Sequence, residues 1–182
     1  FGDRYELTRL AGVGGSALVF EATDELLGRT VAVRIWYPGS HGIPADLFLK
    51  EAKLLAGIEH PNICRVYEYG SSNGCPWLIL EFLRGPSLRE QITTWRQDGN
   101  RPALHEILSI AEKVAGAIEH IHSVVGVFQL DVKPDNILLA TPDAPKVIDI
   151  TTALFHQEGS RRRFGTVGYL APEVFQHEIA FF

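Results

Sequence analysis

Six consecutive residues hold the densest set of reactive groups in the 182-residue chain: Asp131-Val132-Lys133-Pro134-Asp135-Asn136. A carboxylate, an ammonium and an amide so close together suit a proton acceptor, a phosphate contact and a ligand for a hard cation. Thirteen residues after Asn136, Asp149 closes the strand-like run Lys146-Val147-Ile148. A carboxylate at a strand end can reach the same cation. Near the N-terminus, Gly12-Val13-Gly14-Gly15-Ser16-Ala17-Leu18-Val19 forms a glycine-rich turn between two strand-like runs. Bare backbone N–H groups in such a turn can approach a phosphate, although an ordinary hairpin gives the same pattern.

The elements that must carry these residues change character along the chain. Tyr5 to Leu10, Ala17 to Thr23 and Thr30 to Trp36 are rich in β-formers and broken by glycines, which predicts a β-meander. Ala45 to Ile58 places Leu47, Phe48, Glu51, Leu54, Leu55 and Ile58 at helical spacing, and His60-Pro61-Asn62 ends it. Cys64 to Tyr69 and Trp77 to Phe82 flank the turn signal Gly70-Ser71-Ser72-Asn73-Gly74, giving five strands in all. Beyond Gly85-Pro86, Ser87 can cap a helix running to about Arg96, and Leu104 to His122 reads as a long amphipathic helix. Short strands follow at Asn136 to Leu139 and Lys146 to Ile150, separated by the break Thr141-Pro142-Asp143-Ala144-Pro145. A β-rich part, a Gly-Pro joint and a helical part result.

Composition narrows the classes. With 46% hydrophobic and 21% charged residues the chain is ordinary globular material, neither disordered nor repetitive. A net charge of −5 leaves no basic face for nucleic acid. No apolar run approaches the roughly 18 residues of a membrane helix, and Phe1-Gly2-Asp3-Arg4 lacks the basic-then-apolar pattern of a signal peptide. Cys64 and Cys75 lack metal-site spacing and read as small buried hydrophobes in a reducing compartment, so a cytoplasmic location is expected. The absence of methionine implies an excerpt of a longer polypeptide.

Two further motifs complete a pattern. Val31-Ala32-Val33-Arg34 lies 20 residues past Gly14 and looks like V-A-I-K with arginine for lysine, and Gly165-Thr166-Val167-Gly168-Tyr169-Leu170-Ala171-Pro172-Glu173 contains A-P-E. In this order and spacing the chain resembles the eukaryotic-type (Hanks-type) serine/threonine protein kinase family from about Tyr5 to Phe182. The resemblance implies one bilobal α+β domain. Residues 1–83 would form an N-lobe with a five-stranded antiparallel sheet and one helix, and residues 84–182 a partial helical C-lobe.

It also implies ATP and Mg2+ as cofactors. Asp131 would be the catalytic-loop base, Lys133 the transition-state phosphate contact, and Asn136 and Asp149 the metal ligands. Leu10, Val19, Ala32 and Leu138 would sandwich adenine, with Gly12 and Gly14 in the phosphate loop. Leu80 would be the gatekeeper, Glu81 to Leu83 the hinge, and Glu51 the helix partner of position 34.

The chain departs from the family at several of these places. Arg34 keeps the charge of the usual lysine, but its planar fork prefers a carboxylate such as Glu51 over the α- and β-phosphates. Gln129-Leu130-Asp131 replaces H-R-D, removing the cation that reads a phosphorylated activation segment. Asp149-Ile150-Thr151 replaces D-F-G, which restricts the usual flip, and Gln129 puts an amide where the family stacks an apolar spine with Leu55, Val66 and Ile150, which impairs that spine. Arg161-Arg162-Arg163 reads as a solvated run or as a dock for an acidic partner or phosphate, with Ser160 beside it as a modification candidate. The expected function is Mg-ATP binding with weak or no phosphotransfer, in a regulatory or scaffold role toward a protein partner or attached domains. The alternatives are an active serine/threonine kinase and a scaffold that binds no nucleotide.

Overall fold

A computed structural model describes residues 3–14, 17–37, 52–53, 55–125, 131–149, 166 and 168–169. Glu51, Leu54, Gln129, Ile150, Thr151, Ser160, the Arg161 to Arg163 run and Ala171-Pro172-Glu173 lie outside them. The chain divides into two compact units, Phe1–Glu59 with Cys64–Leu83, and His60–Ile63 with Arg84–Phe182.

The first unit is built on β1 (Tyr5–Val13), β2 (Ala17–Asp24), β3 (Arg29–Trp36), β4 (Val66–Ser72) and β5 (Cys75–Glu81). They form one antiparallel sheet in the order β1-β2-β3-β5-β4. Residues alternate between its faces. Tyr5, Ala22, Val31, Val33 and Ile79 are buried together, with Phe20, Ile35, Tyr67 and Trp77 packed against them. Of the helix expected over 45–58, the described residues 52–53 and 55–56 are helical, and Ala52, Leu55 and Ile58 are buried.

The β4–β5 turn is shorter than the glycines suggest. Gly70 to Ser72 belong to β4, leaving Asn73-Gly74 as a two-residue turn with both φ values positive, 51° and 75°. That conformation is what selects Asn-Gly. Gly70 stays in the strand because it faces Trp77 across the ladder, and a Cβ there would run into the indole.

At the opposite end of the sheet Asp24 is fully buried, and Arg4 grips it with Nε and Nη2, each 2.8 Å from a carboxylate oxygen. Arg29 Nε adds a contact at 3.3 Å. The Arg4 hydrogen bonds hold the Asp24 carboxyl below its ordinary range despite burial. Arg4 also donates to Glu68 at 3.0 Å, and the Tyr5 hydroxyl donates to the same Glu68 oxygen at 2.6 Å. The start of β1, the β2–β3 turn and β4 are thereby tied together.

The second unit contains α1 (Leu88–Gln97), α2 (Leu104–Val125), a 3-10 turn (Pro134–Asn136), β6 (Ile137–Thr141) and β7 (Ala144–Val147). Ser87 caps α1 reciprocally: its Oγ accepts from the Glu90 N–H, and its own N–H donates to the Glu90 carboxylate at 2.7 Å. β7 begins at Ala144, inside the stretch read as a break, and ends at Val147 rather than Ile150. Its pairing extends back because Pro142-Asp143 suffices as a turn and because Asn62 takes up β7 from the other side. The Asn62 side chain donates to Pro145 O at 2.8 Å, and the Val147 N–H donates to Asn62 O at 2.9 Å.

Leu139 N–H donates to Pro86 O at 2.9 Å, docking β6 on the residues that lead into α1. Gly85 makes this approach possible: its φ is 152°, and a Cβ would overlap the Leu139 carbonyl oxygen.

Candidate functional site: the Asp131 loop

Pro134 starts the 3-10 turn with φ already set, and Asn136 N–H closes it on Lys133 O at 2.9 Å. This folds the Asn136 side chain back over Asp131. Its Nδ2 donates to both the Asp131 main-chain oxygen and Oδ2, at 2.9 Å each. Lys133 Nζ stands 2.8 Å from the same Oδ2. The Thr166 hydroxyl donates to the other oxygen, Oδ1, at 2.7 Å, and itself accepts from Lys133.

Asp131 is 6% exposed, so each of these bonds counts. Burial alone would raise its pKa. The hydrogen bonds from Lys133, Thr166 and Asn136, with the Lys133 charge, more than offset that and hold the carboxyl below its ordinary value. Asp131 is therefore an ionised, oriented carboxylate at neutral pH. Such a group can orient a hydroxyl and take its proton as the oxygen becomes acidic.

Asn136 and Asp149 are brought close through the backbone, because the Ile148 N–H donates to Asn136 O at 3.0 Å. With Nδ2 committed to Asp131, Asn136 presents its amide oxygen. That oxygen and the Asp149 carboxylate are hard donors of the type Mg2+ takes.

Val19 and Leu78 pair with Arg34, and Leu80 with Ala32, so Val19, Ala32, Arg34, Leu78 and Leu80 share one face of the sheet. The Arg34 guanidinium lies over the Trp36 ring, 4.7 Å from its centroid. Gly12 pairs with Val19, and Gly14 N–H donates to Ala17 O at 2.9 Å, closing the β1–β2 hairpin. Leu10 instead pairs with Phe20, beside a bulge, and is half exposed. Glu81 N–H donates to Arg65 O, and its carbonyl accepts from the Cys64 thiol. Leu83 ends the first unit, and Leu138 points away from the buried side of β6 formed by Ile137 and Leu139.

Three participants escape a reading of the Asp131 loop alone: Thr166, Tyr169 and Arg89. The Gly165-Thr166 pair signals the first. The Arg89 guanidinium on α1 donates to the Tyr169 hydroxyl and faces Asp135 Oδ2 at 3.4 Å, contacts 80 and 46 residues apart in sequence.

Residues 5–180 match the family model of the protein kinase domain. The chain belongs to that family. Its curated relatives place it on the serine/threonine branch: it is 35% identical to the serine/threonine-protein kinase PrkC of Bacillus subtilis over 179 residues, which is 93% of this kinase domain and 26% of PrkC. The domain spans about a quarter of the length of the curated relatives it matches. Among solved structures, it is similar to Rad53 1-466 in complex with AMP-PNP, with a TM-score of 0.77 and 26% identity over 95% of this chain and 43% of that one. The apo form of PpkA-294 shares the fold, with a TM-score of 0.70 and 23% identity over 84% of this chain and 60% of that one. The α+β kinase fold expected from the sequence is thus present, with its five-stranded antiparallel sheet and partial helical lobe. Among the described residues no helix is long and apolar enough to cross a membrane.

Proposed function

We infer that this domain transfers the γ-phosphoryl group of ATP to serine or threonine hydroxyls of proteins. The observation that carries this reading is the Asp131 carboxylate, buried and held on both oxygens by Lys133, Thr166 and Asn136. A carboxylate so fixed can align an incoming hydroxyl and accept its proton, and Lys133 can meet the charge on the phosphoryl oxygens. Mg2+, held by Asn136 and Asp149, would neutralise phosphate charge. In the first unit, Leu10, Val19 and Ala32 would contact adenine, Leu80 would be the gatekeeper, Glu81 and Leu83 would offer backbone groups, and Gly12 and Gly14 would admit the phosphates. That the serine/threonine relatives bear the names of kinases supports transfer over mere binding.

A second reading, Mg-ATP binding with weak or no transfer in a regulatory or scaffold role, has one specific observation behind it. Position 34 holds an arginine stacked on Trp36, where a compact ammonium would meet the phosphates. The deciding experiment follows label from γ-labelled ATP into serine/threonine acceptor proteins by the intact protein. Labelled phosphoserine or phosphothreonine supports the first reading. Mg-dependent ATP binding without product supports the second, and no ATP binding at all leaves only a nucleotide-free scaffold.

A further inference from the structure

We propose that Arg89 is a positioning residue for Asp131, acting through Tyr169 and Thr166; the proposal rests on the phosphotransfer reading above. The Thr166 hydroxyl that holds Asp131 Oδ1 comes from 35 residues downstream, so its aim depends on whatever fixes the backbone around it. That backbone is a turn, closed by Tyr169 N–H donating to Thr166 O at 2.9 Å, with Gly168 at φ 97°.

Tyr169 extends from the turn to the Arg89 guanidinium, which hydrogen-bonds its hydroxyl and lies 5.8 Å from its ring centroid. The same guanidinium faces Asp135, in the 3-10 turn that also carries Asn136. One planar fork therefore links both segments that orient Asp131, the Asn136 turn and the Thr166 turn. Arg89 is itself well placed to serve as the fixed point. It lies in the first turn of α1, behind the Ser87–Glu90 capping box and the Leu139–Pro86 hydrogen bond.

Arg89, Asp135 and Tyr169 are each between 41% and 48% exposed. Half-exposed pairs add little to global stability. Loss of Arg89 should then appear in the aim of Thr166 rather than in folding.

The test uses the intact protein carrying Arg89→Ala, Arg89→Lys, Tyr169→Phe or the Ala/Phe pair. Phosphotransfer and, without nucleotide, hydrogen exchange at the Tyr169 amide are both measured. In Arg89→Ala and Tyr169→Phe, kcat is expected to fall roughly tenfold or more with KM for ATP little changed, since small misplacements are amplified in transfer. The double variant should fall no further, and Arg89→Lys should recover only part of the loss. Exchange at the Tyr169 amide should quicken in Arg89→Ala while the unfolding midpoint stays near that of the wild type. Unchanged exchange, or a wild-type kcat in Arg89→Ala, overturns the proposal. Faster exchange in a protein whose wild type transfers nothing upholds the Arg89 anchor and strikes the phosphotransfer reading instead.

Discussion

Thr166 donates its hydroxyl to Asp131 Oδ1 at 2.7 Å, joining residues 35 positions apart in the sequence. With Asn136 and Lys133 on the other oxygen, this bond fixes the plane of the carboxylate. Thr166→Val should lower phosphotransfer by roughly ten- to hundredfold, the range expected when a hydrogen bond to a charged group is lost. Thr166→Ser, which keeps the hydroxyl, should retain most of it. Single-turnover rates of the two variants make the comparison, and equal rates would remove the bond from the account.

Restoring a compact ammonium at position 34 should help. Arg34→Lys is expected to raise phosphotransfer in the intact protein by at least about tenfold, or about 1.4 kcal/mol of barrier. No gain would move any defect to the spine residues, where Ile150 and Gln129 depart from the family pattern.

Asp24 predicts an acid limb in the stability of the first unit. A carboxyl whose folded pKa lies below its unfolded one stabilises the fold in full above the unfolded value, near 4, and that contribution disappears as pH falls through the folded value. The Arg4 hydrogen bonds place Asp24 in this case. Asp24→Asn should lower the unfolding midpoint at pH 7 and flatten its decline below about pH 4. Thermal unfolding across pH 2 to 7, as an order-of-magnitude window, reads both. An acid limb as steep in the variant as in the wild type would exclude Asp24 as its source.

Gly85→Ala should be costly for a backbone reason. The new Cβ meets the Leu139 carbonyl at a φ that L side chains rarely adopt, so a loss of about 1–3 kcal/mol in unfolding free energy is expected. Chemical denaturation measures it; a neutral substitution would show that the Pro86–Leu139 approach can relax.

Metal dependence can be read without turnover. ATP should raise the unfolding midpoint of the wild type only when Mg2+ is present, and Asp149→Ala should lose most of that rise. An equal rise in all cases would rule out Asn136 and Asp149 as ligands.

Much of this was legible in residue order because strands, turns and caps are local. The runs of β-formers marked the five strands, and Ser87 marked the start of α1. Short spacing likewise exposed Asp131, Lys133 and Asn136, which one 3-10 turn folds together. Ends set by distant partners were not legible. Gly70 sits in β4 opposite Trp77, and Asn62 borders β7 at Pro145 and Val147. The Arg4–Asp24 grip and the Arg89–Tyr169 link join residues 20 and 80 positions apart, and no periodicity marks them.

The most direct test of the central claim is single-turnover transfer from γ-labelled ATP by the intact protein, wild type against Asp131→Asn, with ATP binding measured in parallel. The account predicts phosphoserine or phosphothreonine product from the wild type, at least about a hundredfold less from the Asn variant, and similar ATP binding by both. Equal transfer by the two proteins would contradict it, as would a wild type that binds Mg-ATP and forms no product.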